Sequence, residues 1–252
     1  MKNLIREEFF KTQKSKTLYI CLALAVVGLI FVAFLYCDTF YDYHWLDLQA
    51  EIPWTLDFST FIVVFVLVYI CGEFSQGTIK NYIAIGFSRT KVYLSKLIKI
   101  AIITFGLVFF LQLIALTFTP FIFGGTVVDI RANSIYYFYG LFALLEALCF
   151  YVAIAFITKS IGAVLGVYFG LSILSGILNT LSLFINDSVI FNFLLGVFKY
   201  SYFDMQMTLA QNLANGLINE PMQIVLAIVI PLVVMGTSTF GAILLFDKQD
   251  VK

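Results

Sequence analysis

Apolar residues in this chain come in long unbroken blocks separated by short charged segments. A helix needs roughly 20 apolar residues to cross a bilayer. Five blocks meet that requirement: Leu18–Tyr36, Ile100–Phe123, Ile135–Thr158, Ile161–Ile185 and Met222–Phe246. A sixth, Phe58–Gly72, is shorter, and it spans only if Trp54 and Asp57 stand at one interface and Glu73 at the other. The pattern predicts an all-α polytopic bundle, one domain over residues 1–252, with six spans near 18–36, 56–72, 97–123, 135–158, 161–185 and 222–246.

Charge decides whether the short block counts. With the N-terminus inside, the inner segments hold Lys2, Arg6, Lys11, Lys14, Lys16, Lys80, Arg89, Lys91, Lys96, Lys99, Lys159, Lys248 and Lys252. The outer segments hold only Arg131 and Lys199, so inner cations outnumber outer ones thirteen to two. This is the positive-inside pattern of a chain with both termini cytoplasmic in the cell membrane. Removing the short span would put the Lys80–Lys99 cluster outside and destroy the asymmetry. The stretch Leu18–Tyr36 follows a basic segment as a secretory signal would. It has no small-residue cleavage site after it and is long enough to span, so it reads as a retained first helix.

The segments between spans carry their own patterns. Residues 1–17 place Leu4, Ile5, Phe9 and Phe10 among charges, which suits an amphipathic helix on the inner face. Residues 37–57 are acidic and aromatic, with Tyr36, Phe40, Tyr41, Tyr43, Trp45 and Trp54 as an interfacial belt that Tyr136, Tyr137 and Tyr139 repeat. Val189–Phe198 is too short to cross and reads as a re-entrant outer element, followed by a polar outer segment from Ser201 to Glu220. Pro221 suits a first helical turn, whereas Pro231 should kink the last span. Between spans two and three, Ile79, Tyr82, Ile83 and Ile85 give a short amphipathic helix. Gly86 is placed to stop it and Ser88 to cap the next helix.

Composition narrows the function classes. The chain is 62% hydrophobic and 12% charged, against about 45–50% and about 25% in soluble domains. Its net charge of zero argues against nucleic acid as a partner, because phosphate binding needs a basic surplus. No G-x-x-x-x-G-K-[ST] is present, so the chain should not bind ATP through a P-loop. The single histidine, His44, excludes H-E-x-x-H, and no metal site or G-x-S-x-G elbow is evident. No cofactor and no catalytic residues are expected on this chain.

Two polar residues fall within spans. Glu146 lies mid-span, where a charge costs roughly 2.5–3.5 kcal/mol on insertion scales, so it must face protein or water. It is a pathway residue or a structural hydrogen-bonding group, and Gln112 is a milder case of the same kind. In the fifth span Gly162, Gly166 and Gly170 recur at four-residue spacing. Such a ridge lets helices approach closely, within the bundle or across a dimer.

The loop between spans two and three carries a resemblance. Glu73, Gly77, Thr78, Ile79 and Lys80, then Gly86, Ser88 and Arg89, then Tyr93, Lys96 and Leu97, resemble the membrane subunit of an ABC transporter of the ABC-2 (export) type. The six-span layout, the inner amphipathic helix and the re-entrant element extend that likeness. The resemblance implies a permease that pairs with an identical or related permease. It also implies cytoplasmic ATP-binding cassette subunits docked underneath, with ATP and Mg on those partners. Residues 74–86 would form the coupling helix, with Glu73, Gln76, Thr78, Lys80, Asn81 and Arg89 at the ATPase contact. The implied cargo is amphipathic or lipophilic, such as an antimicrobial or surfactant-like peptide or a drug. Two other readings stay open: a secondary carrier or channel using Glu146, and a non-transporting immunity or sensor component.

Overall fold

The computed structural model describes residues 2–39, 58–123, 130–182, 184, 189–214 and 221–249. Regular structure among them is helical throughout. In chain order the helices are α1 (Lys2–Gln13), α2 (Lys16–Thr39), α3 (Phe58–Val66), α4 (Gly72–Ser75), α5 (Thr78–Ala84) and α6 (Arg89–Phe123). They continue with α7 (Ile130–Thr158), α8 (Ile161–Ser182), α9 (Val189–Ser201), α10 (Phe203–Ala214) and α11 (Pro221–Lys248). The acidic outer loop, with Trp54, Asp57 and His44, lies outside the described residues, as do the side chains of Tyr36, Tyr136 and Gln112.

Among the described residues, four helical stretches are long and apolar enough to cross a membrane: Arg89–Leu111, Tyr137–Thr158, Ile161–Ser182 and Pro221–Lys248. A fifth is possible if Ser59–Ser75 and Thr78–Ala84, which meet at 64°, are one broken span. The apolar α2 comes before these stretches. The short second block is therefore short for a physical reason. Its helix passes through a π-helical turn at Leu67–Cys71, continues as α4, and bends away at Gly77. Gly77 has φ of 71°, in the left-handed region that glycine enters without steric cost.

α7 is the central element, packed by α3, α6, α8, α10 and α11. Its apolar residues are distributed all round, and Leu144, Leu148, Val152, Ala155 and Phe156 are fully buried. α8 and α11 sit at the periphery and leave Phe169, Ile173, Val229 and Phe240 exposed on their outer faces. In water such a surface would drive association, whereas in a bilayer it is the face that meets lipid or another subunit.

The segment before the last helix departs from expectation. Ser201–Glu220 was expected to be a polar outer stretch, but Phe203–Ala214 forms α10 and packs along α7 with Met205, Met207, Leu209 and Ala210 buried. Met207 and Ala210 join the core around α7, while Met205 packs with Leu178 and Tyr202, and Leu209 with Tyr200 and Ala227, so α10 is covered on several sides. α9 has 13 residues, which makes it about 20 Å long and too short to cross. Pro221 opens α11 as expected, and α11 is one continuous helical element through the buried Pro231.

Candidate functional site

The resemblance-bearing loop folds as a defined unit. α5 ends in paired backbone hydrogen bonds, from Gly86 N–H to the Ile83 carbonyl (3.0 Å) and from Phe87 N–H to the Tyr82 carbonyl (3.1 Å). This is the Schellman arrangement, and it requires the left-handed residue that Gly86 supplies with φ of 100°. The rings of Phe87 and Tyr82 meet edge-on at 6.3 Å, which adds the apolar contact typical of that stop. Ser88 then precedes α6 and accepts a hydrogen bond from Val92 N–H through its carbonyl. Both glycines of the motif thus set the ends of α5.

α5 turns Ile79 and Tyr82 inward and leaves Lys80, Asn81 and Ala84 exposed. Ile85 was expected on the buried face, yet it is 75% exposed. Six residues beyond Ile79, at 3.6 per turn, it points well away from that face. Gln76 is exposed at the bend and Thr78 is partly covered. Lys80, Asn81, Gln76 and Ile85 therefore form one free, mixed surface, in contrast to Glu73 and Arg89.

Glu73 turns into the protein. Its carboxylate pairs with Lys96 and lies 3.6 Å from Lys99 Nζ. The same two lysines meet Glu8 of α1, Lys96 at 2.5 Å and Lys99 at 2.6 Å. Glu8, Lys96 and Lys99 are all essentially buried. The lysines are three residues apart and so share one face of α6. That face holds α1 through ion pairs with the buried Glu8. Tyr82 of α5 completes the group, because its hydroxyl donates to Glu8 Oε1 (2.9 Å) and accepts from Lys11 Nζ (2.8 Å). Burial alone would raise the Glu8 carboxyl, but the charges and hydrogen bonds of Lys96 and Lys99 hold it down at about 2.

Arg89 has a different internal task. Its guanidinium donates to the carbonyls of Phe246 (2.8 Å), Asp247 (2.7 Å) and Gln249 (2.6 Å) at the end of α11. A cation there satisfies carbonyls left open by the helix end and matches the negative pole of the helix. Phe246 is fully buried and packs edge-on to Phe156 (5.0 Å) and Phe74 (6.1 Å), while Tyr93 meets Phe156 at 4.8 Å. Four rings from α4, α6, α7 and α11 form a rigid seat directly behind the loop.

Away from that end, Glu146 of α7 is 3% exposed. Its partner is Gln206 of α10, whose amide donates to Glu146 Oε2 and to the Tyr200 carbonyl. No intramembrane cation pairs with Glu146 among the described residues. Gln206 had no visible signal in the sequence, because the two residues are 60 positions apart. The side chain of Gln112 is outside the described set, although its backbone belongs to α6. Gly162, Gly166 and Gly170 form an exposed stripe on α8. A Cβ at Gly166 or Gly170 would meet nothing within 4 Å.

Residues 74–86, expected to form one helix, are divided: Phe74 and Ser75 close α4, and Thr78–Ala84 form α5 beyond the Gly77 bend. Neither Glu8 nor Gln206 was among the expected site residues. Lys99 stood out only as an inner-face cation, and Lys96 as that and as part of the resemblance. A better signal was available in the pair itself: two lysines on one face, entering an apolar helix, need anions.

A protein-family model, described as ABC-2 family transporter protein, matches residues 4–186. Comparisons with curated proteins and with solved structures find no match. The matched region runs from α1 through α8 and includes the charge cluster and both motif glycines. The chain belongs to the ABC-2 family of transporter membrane proteins.

Proposed function

We propose that this chain is the permease subunit of an ATP-driven exporter, with six spans and both termini cytoplasmic, forming half of the path for an amphipathic or lipophilic cargo. The observation that carries the reading is the free face of α5. Lys80, Asn81 and Ile85 stand exposed on the short stretch that Gly77 and Gly86 delimit, Gln76 is exposed just before it, and Tyr82 anchors it to the Glu8–Lys96 cluster. Such a helix is soluble on one side and fixed to the bundle on the other, so it can receive motion from a cytoplasmic ATPase. Glu73 and Arg89 then act as its internal fastenings rather than as its contact residues. The ATPase partner would supply ATP and Mg. α9 serves as the re-entrant outer element.

A second permease, identical or related, fits the exposed glycine stripe of α8. α3 and α8 stand side by side, the hydroxyls of Thr60 and Tyr168 being 2.6 Å apart, so these two spans would border a shared path. The test is co-reconstitution with the cognate ATPase. Lys80→Glu and Ile85→Asp should leave insertion intact and abolish the permease-dependent part of ATP hydrolysis. Unchanged hydrolysis in both variants would remove α5 from coupling. Buried Glu146 favours the rival carrier reading, which requires transport to stop when the proton gradient collapses while ATP is held constant.

A further inference from the structure

Beside Glu146 lies a cavity of about 220 Å³, between α7, α8, α9 and α11. Its wall is apolar and aromatic, including Phe150, Tyr151, Phe198, Tyr202 and Val234, with Glu146 as the charged group. That volume corresponds to roughly seven waters of the liquid, enough for a short alkyl or aryl group. Tyr202 is held in place, its hydroxyl 3.0 Å from Ser172 Oγ. The Ser201 hydroxyl is committed to the Val197 carbonyl at 2.6 Å.

One oxygen of the lining carboxylate is left over as an acceptor. Glu146 Oε1 is buried without a hydrogen-bond partner among the described residues. Gln206 spends its amide hydrogens on Glu146 Oε2 and the Tyr200 carbonyl. A buried acceptor without a donor is costly, and a buried carboxylate more so. A species that brings several N–H donors and a positive charge answers both, and aromatic rings lining the same space favour a cation further. Chloride, a carboxylate or a phosphate would face the carboxylate with the wrong sign.

We propose that this cavity binds a small organic ammonium ion, its charged head on Glu146 and its hydrocarbon part against Phe150, Phe198 and Tyr202. The site is internal to one chain and requires no ATPase, so it stands or falls separately from the export reading. A cargo or a lipid bearing a primary amine would present this chemistry.

The test uses the full chain in nanodiscs, titrated calorimetrically with hexylammonium and, in parallel, with neutral hexanol, subtracting empty nanodiscs. Saturable hexylammonium binding, about tenfold or more tighter than hexanol, is expected from one charged hydrogen bond. Glu146→Gln should bring the two ligands to equal affinity while retaining the contact with Gln206. Val234→Phe, which fills the cavity without touching the carboxylate, should abolish binding of both. If the wild-type chain binds hexanol as tightly as hexylammonium, or neither saturably, the proposal is overturned. It is equally overturned if Glu146→Gln binds hexylammonium unchanged, since Glu146 is then a neutral acid closed on its amide neighbour.

Discussion

Lys96 Nζ lies 2.5 Å from Glu8 Oε1, joining helices that are 88 positions apart in the chain. Removing one member of such a buried pair leaves an uncompensated charge and typically costs about 3–5 kcal/mol. Glu8→Gln should therefore lower the unfolding temperature in detergent markedly. Glu8→Gln combined with Lys99→Met should be less destabilised than the sum of the two single changes. Strict additivity would show that the ions do not act together.

Glu8 also gives a pH signature. Its carboxyl is held at about 2, below the ordinary 4.5. A folded value below the unfolded one means that the stabilisation is complete above about pH 4.5 and is lost as pH falls toward 2. Thermal unfolding followed from pH 6 down to about 2.5 should show a steeper loss for wild type than for Glu8→Gln. Parallel curves would contradict it.

Arg89 holds the end of α11 through three carbonyls. Arg89→Ala should raise amide hydrogen exchange at Gln249 and weaken the fold by about 1.5–3 kcal/mol. Arg89→Lys should rescue only part of this, because the ammonium keeps the charge and N–H donors but carries them on a stem of different length and shape.

Gly86, at φ of 100°, should tolerate asparagine better than alanine. Gly86→Ala should cost about 1–2 kcal/mol and release the end of α5. Protease accessibility of the 85–88 segment would report it.

Much of this architecture was readable from the sequence because its causes are local. Apolar block length marks the four long apolar helices found among the described residues, and Gly77 and Gly86 mark the ends of α5 through their own backbone needs. Ser88 followed from its place before an amphipathic run. What was hidden depends on distant pairing. Glu73 and Arg89 looked like surface charges, and only the folded chain reveals that Lys96 and the end of α11 claim them. Gln206 lay within a segment whose polar residues suggested an outer loop, whereas that segment is a helix packed along α7 with Gln206 buried. The cations that satisfied the positive-inside pattern also hold the bundle together, a second role that a charge count does not reveal.

The central claim concerns the exposed face of α5, so it is best tested there. A photo-crosslinking amino acid at position 80 or 85, in membranes containing the cognate ATPase, should capture that ATPase, whereas the same group at position 14, just after α1, should not. Capture at 80 and 85 that changes with bound nucleotide is the predicted result. Efficient capture from position 14 alone, with none from 80 or 85, would contradict the account.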